Sequence, residues 1–257
     1  MTRELAFAGR VCANSEAAQL DAARGAVDAL LWRRDVRAAA AAVARDSAVR
    51  GARASAAIDG ADVPAADDSP MGRVLAGAEA VNAAVPALVE VWRRAPIQAL
   101  VALHTRAVVG RVSAEEIGRP RATDAVQDPL HIGSLPDAVT VAPRLQDLAR
   151  ALSTPTQVPA LFVAAVTHAE LMLLQPFLVG SGVVARAAVR LVLADRGVDP
   201  SLFSIPEVGM ADLGRPAYVR AVRAYAQGSV SGLDEYCGWF AEVIRRGAEC
   251  VRISEDG

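Results

Sequence analysis

The fold is decided by Thr167-His168-Ala169-Glu170-Leu171-Met172-Leu173-Leu174-Gln175-Pro176-Phe177-Leu178-Val179-Gly180-Ser181-Gly182-Val183-Val184-Ala185-Arg186. A run apolar on every side stops at Gln175-Pro176, because proline cannot continue a helix and disfavours helical geometry in the residue before it. The chain turns through Gly180-Ser181-Gly182 and restarts as a second apolar run. Helices that are apolar all round lie inside a fold. The stretch therefore predicts two central helices, 158–174 and 181–196, joined by one tight turn. The turn opens the second helix with free backbone N–H groups, Ser181 is placed to cap it, and the helix dipole points its positive end the same way. Gly180, Ser181 and Gly182 are thus a generic anion site.

Outward from this centre the pattern stays helical. Residues 16–50 are rich in alanine and arginine and free of proline, which suits one long helix or a helix pair. Gly60 to Pro70, with Asp62, Pro64, Asp67, Asp68 and Ser69-Pro70, reads as a loop. Val74, Ala78, Val81, Val85 and Leu88 recur at helical steps over 71–94, and Pro96 opens a further helix ending at Gly110. Between Gly118 and Pro143 the pieces are short and β-compatible, and a small β-hairpin is expected there. Helical pattern returns over 144–152, 216–227 and 233–252. The late aromatics Tyr218, Tyr225, Tyr236, Trp239 and Phe240 read as packing between terminal helices. The fold class is all-α, a single domain over 1–257.

Composition narrows the chemistry. The 257 residues carry 27 basic side chains, all arginine, against 29 acidic ones, a net charge of −2. Without lysine there is no Schiff-base amine and no Walker-type phosphate lysine. The balance lacks the basic excess of a nucleic-acid binder. Aromatics are 4% of a chain that is 53% apolar, so the core must be helices packed closely through small residues. Cys12, Cys237 and Cys250 make no metal spacing and read as reduced thiols of a cytoplasmic protein. Met1-Thr-Arg-Glu-Leu, followed closely by Arg10, lacks the apolar core of a signal peptide. The weakly charged region 154–185 is broken by Pro155, Pro159, His168, Glu170 and Pro176, so it is no bilayer span. A soluble chain with no membrane or nucleic-acid partner is expected.

Gln175 to Arg186 aligns without gaps to H-x-F-x-[DE]-G-N-G-R-x-x-R, and so resembles the Fic (Fido) family, which transfers AMP or another phosphate-containing group from a nucleotide to a protein hydroxyl. Gly118-Arg119-Pro120-Arg121, then His131-Ile132-Gly133 and Pro143, resembles the family's flap. Ser55-Ala56-Ala57-Ile58-Asp59-Gly60 resembles the inhibitory motif [ST]-x-x-x-E-[GN], with Asn82 on a following helix as in many members. The similarity covers about 50–200, leaving 1–49 and 201–257 as flanking helices. About sixty residues follow the core, with no clear helix-turn-helix.

The resemblance also marks departures. Gln175 stands at the general base, where an amide has no proton to exchange near neutral pH. Val179 stands at the magnesium-holding acid and cannot ligate a cation. Ser181 and Val183 replace a phosphate-contacting asparagine and arginine. Phe177, Gly180, Gly182 and Arg186 are retained. Arg186 either meets a phosphate or pairs with Asp59, the inhibitory-motif acid; the pair is favoured, because a buried guanidinium needs a carboxylate. His168 lies two turns before Gln175, about 10 Å along the axis, and reads as a satisfied core histidine. His104 and His131 are isolated.

The expectation is therefore a catalytically degenerate Fic-like pseudoenzyme without AMP-transfer (AMPylation) activity that keeps a binding or regulatory role. No cofactor is expected. ATP with magnesium belongs to the alternative, a remodelled nucleotide-dependent transferase acting on a protein hydroxyl. A further alternative is a scaffold whose flap groove holds a partner segment. An unidentified protein partner and a homo-oligomer are left open.

Overall fold

The computed structural model describes residues 6–253; Met1–Leu5, part of the stretch read above for a leader, and the last four residues lie outside it. A short hairpin, β1 (Ala6–Phe7) and β2 (Arg10–Val11), opens the described chain. Eleven helices follow among the described residues: α1 (Asn14–Trp32), α2 (Arg34–Ala38), α3 (Ala40–Ile58), α4 (Pro70–Arg94), α5 (Pro96–Ala107), α6 (Ala138–Ser153), α7 (Ala160–Leu174), α8 (Ser181–Asp195), α9 (Pro206–Leu213), α10 (Arg215–Ala226) and α11 (Val230–Glu249). The all-α class expected from the sequence is the one observed.

The centre is as the apolar runs require. Every residue of α8 up to Ala194 is buried, and α7 is buried on all sides. Around them pack α4 and α5 on one side and α1, α10 and α11 on the other. Ser69 caps α4 by accepting from the Gly72 N–H, and Pro70 and Pro96 sit at first helical positions, where a missing N–H costs nothing. By length and composition α4 alone among the described helices could cross a bilayer; here its Val74, Ala78, Val81, Val85 and Leu88 face the core.

Three expectations are corrected and one helix is added. The segment 118–137 contains no paired strands; the hairpin of this protein lies at Ala6–Val11 instead. Side chains take the backbone groups that a ladder would use. Asp128 accepts from the Leu130 and Ile132 N–H groups, and Arg223 donates to the His131 and Ile132 carbonyls. Second, α6 begins at Ala138, before the anticipated limit, and carries Pro143 inside it; the carbonyl of Val139, which loses its helical donor there, belongs to a solvent-exposed residue. Third, residues 16–50 hold three helices rather than one or two, broken at Arg33 and Ala39 without glycine or proline. The added helix is α9, Pro206–Leu213, which the periodicity does not reveal.

Small residues let the helices approach. A Cβ on Gly77 would overlap the Ala107 carbonyl of α5, and one on Gly209 would overlap the Val243 carbonyl of α11. Gly209→Ala should therefore destabilise by about 1–3 kcal/mol. Gly25, exposed in α1 with nothing near its missing Cβ, gives the contrast. Gly25→Ala should stabilise by about 0.5–1 kcal/mol. Thermal melts of the two variants should move in opposite directions; a shared sign would contradict the close-approach account.

Candidate functional site

The site is built where α7 stops. Gln175 ends the helix in the left-handed region at φ 41°, an uncommon conformation for a side-chain-bearing residue, with its N–H on the Leu171 carbonyl. Its amide nitrogen donates back to Met172 O at 3.0 Å, and its buried Oε1 has no protein partner. Ser181 closes the loop with one hydroxyl: it accepts from the Phe177 N–H and donates to the Phe177 carbonyl, both at 3.0 Å. The hydroxyl thus folds the turn rather than capping α8. Gly180 is left-handed at φ 80°, with Val108 packed where a Cβ would sit.

Two side chains the sequence reading left unassigned hold this loop. His104 stacks on Phe177, ring centroids 3.9 Å apart and nearly parallel. The Gly118 N–H donates to its Nδ1 at 2.8 Å, so Nε2 carries the proton and donates to Val179 O at 3.1 Å. Burial pushes its pKa down to about 4. Arg121, buried beneath the 119–137 loop, donates to the carbonyls of Leu174, Gln175, Thr123 and Pro136, and its own N–H reaches Pro176 O. A cation on the last carbonyls of α7 also meets the negative end of that helix.

The inhibitory-like segment ends α3. The Gly60 N–H bonds Ala57 O and the Ala61 N–H bonds Ala56 O, with Gly60 at φ 91° and Ala61 buried. That pattern is a Schellman motif, so Gly60 terminates a helix and thereby aims its neighbour Asp59. Asp59 Oδ2 lies 2.8 Å from Arg186 Nη2. Ser55 completes the clamp: its Oγ accepts from Arg186 Nε at 2.8 Å and its carbonyl from Nη2 at 3.0 Å. The pair lies against the first turn of α8, because a Cβ on Gly182 would come 3.2 Å from Asp59 Oδ1 and 3.1 Å from Arg186 Nη1.

Thus Ser55, Asp59, Gly182 and Arg186 converge. Gln175 and Ser181 belong to the adjoining loop, Val179 is half-buried at its edge, and Val183 is buried in the core. Among the described residues no set of three or more His, Cys, Asp or Glu side chains is placed to hold a metal.

Behind Arg186 lies His168, fully buried, with Nδ1 2.7 Å from the Tyr236 hydroxyl and Nε2 2.6 Å from that of Tyr218. It is the satisfied core histidine expected. Desolvation, aided by the Arg186 charge, lowers its pKa to about 3. One turn along α8, Arg190 lies 3.4 Å from Glu207, both buried, beside Gly51 and Asn82. This second pair escaped the sequence reading. A second cation four residues after Arg186, in a helix otherwise apolar, was the available signal.

No family model matches the sequence, and no curated protein is significantly similar to it. Solved structures do match. A Fic family protein from Desulfovibrio desulfuricans G20 superposes with a TM-score of 0.70 at 18% identity, covering 93% of this chain and 74% of that one. Fic-1 from C. elegans, residues 134–508, gives 0.71 at 18% identity, covering 91% and 71%. The fold is therefore Fic-like.

The clamp sets two expectations. Asp59→Ala should cost about 3–5 kcal/mol by stranding a buried cation, whereas Asp59→Ala with Arg186→Met should cost less than Asp59→Ala alone. Chemical denaturation of the three proteins checks the order, and equal stability of wild type and Asp59→Ala would contradict it. Second, His104 and His168 titrate lower folded than the usual 6.5. The unfolded chain then binds more protons below that value, so their contribution is complete above about pH 6.5. It is lost as pH falls toward about 4 for His104 and about 3 for His168. The melting temperature should decline over that window, and His168→Gln should flatten the slope.

Proposed function

We propose that this chain is a catalytically degenerate Fic-fold protein, one that does not transfer AMP to protein hydroxyls and acts by binding. The observation that carries the reading is the Asp59–Arg186 pair against Gly182. A nucleotide phosphate would need that helix start and that guanidinium. Both face a buried carboxylate, whose like charge and volume oppose a phosphate.

The donor set does not fit a magnesium–nucleotide. Val179 offers an aliphatic side chain and a carbonyl already accepting from His104. The Ser181 hydroxyl is engaged in both directions by Phe177. Gln175 has no titratable proton, and its amide is turned back onto Met172. His168 cannot stand in as base, because both ring nitrogens are taken by tyrosines. Loss of a general base typically removes about 10²–10⁴ in rate. Loss of the metal site and of an arginine removes the charge stabilisation on which phosphoryl-type transfer chiefly depends. A reducing, cytoplasmic setting accords with Cys12, Cys237 and Cys250 as separate thiols.

Incubation of the full chain with labelled ATP, magnesium or manganese, and cell lysate should label neither this protein nor others. Calorimetry with magnesium–ATP should likewise show no saturable heat assignable to the α8 turn. Labelling that disappears when the Gly180–Gly182 turn is altered would replace this reading with that of a remodelled transferase.

A further inference from the structure

A cavity of about 290 Å³ opens beside the loop at Val179, between the start of α4, the turn after α5 and the 119–137 loop. Two arginines line it from different elements. Arg73 of α4 donates to Gly110 O at 3.1 Å, which brings its guanidinium to the residue preceding Arg111. Arg111 is half-buried, and its donors reach only a carbonyl and an amide at long range: Ala107 O at 3.3 Å and Gln127 Oε1 at 3.4 Å. Asp68, which also lines the cavity, lies 4.0 Å from Arg73 on a fully exposed side chain, where an ion pair contributes little. Two guanidiniums therefore line this cavity against one exposed carboxylate.

We infer that the cavity is a binding site for a phosphoryl group carried on a small, partly apolar molecule, held between Arg73 and Arg111. Two guanidiniums on separate walls suit a tetrahedral oxyanion, which presents acceptors in several directions, better than a planar carboxylate that one arginine satisfies. Met71, Val74 and Val179 line the same cavity and provide an apolar wall for the group that bears the phosphate. Charge at Arg111 fits the same assignment: desolvation works against the cation there, and a bound dianion would offset that cost. Of the motif positions only Val179 lines the site; Gln175, Gly182 and Arg186 do not. It stands whether or not the Asp59–Arg186 reading does.

The test is calorimetry and thermal melting of the full chain with inorganic phosphate, phenyl phosphate and acetate, against chloride at matched ionic strength. Phosphate should bind saturably, with a Kd on the order of 1 mM, and raise the melting temperature. Phenyl phosphate should bind severalfold tighter through the apolar wall. Arg73→Gln, on an exposed side chain that leaves the core untouched, should weaken both about tenfold; Arg111→Gln should do the same. Acetate binding as tightly as phosphate would overturn the phosphoryl assignment. So would absence of saturable binding, affinity unchanged in Arg73→Gln, or phenyl phosphate no tighter than phosphate.

Discussion

A guanidinium buried in the middle of an apolar helix governs this structure. Arg186 is fully buried in α8, and an isolated charge there would be strongly unfavourable. The chain must bring it a carboxylate from a residue far away in sequence. The end of α3 does so, and its local features follow from that demand. Gly60 stops the helix in a Schellman motif, Ser55 one turn back supplies a hydroxyl and a carbonyl, and Asp59 lies between them. Gly182 is required on the other side, because a Cβ would crowd both members of the pair. Arg190 and Glu207 repeat the arrangement one turn later and tie α9 to the same helix.

Around this pair the loop 175–180 is held by backbone groups finding partners. Arg121 supplies donors to carbonyls at the end of α7 that have no helical N–H left to accept from. Ser181 pairs with the N–H and carbonyl of Phe177, His104 with the carbonyl of Val179, and the Gln127 N–H with that of Leu178. Each of these side chains is occupied on every side by the fold. The side chains that could do chemistry here are thereby engaged within the fold, and the functional reading grows from this. Charge is what remains: Arg73 and Arg111 line one cavity, with the exposed carboxylate of Asp68 beside them.

Helix α9 and the 118–137 loop show how local pattern loses to tertiary contact. Eight residues beginning at a proline and containing Gly209 have weak intrinsic helicity, yet α9 forms because Gly209 seats against the α11 backbone and Glu207 meets Arg190. Leu130-His131-Ile132 is suited to a strand. Asp128 and Arg223, one adjacent and one on α10, take the N–H and C=O groups first. Side-chain hydrogen bonds offer the backbone an alternative to a ladder.

The sequence by itself determined the helical class, the two central helices and the turn between them, because apolar periodicity and proline and glycine breaks act over neighbouring residues. It also marked Asp59 and Arg186 as partners, through the resemblance of two separated motifs. Only the tertiary structure decided that Ser181 folds the loop instead of capping α8, that His104 is a neutral brace, and that Arg73 and Arg111 share a cavity. Those outcomes depend on distances between residues far apart in the chain. A spacing rule reads contacts along one helix, and it cannot see which polar group is nearest across a core.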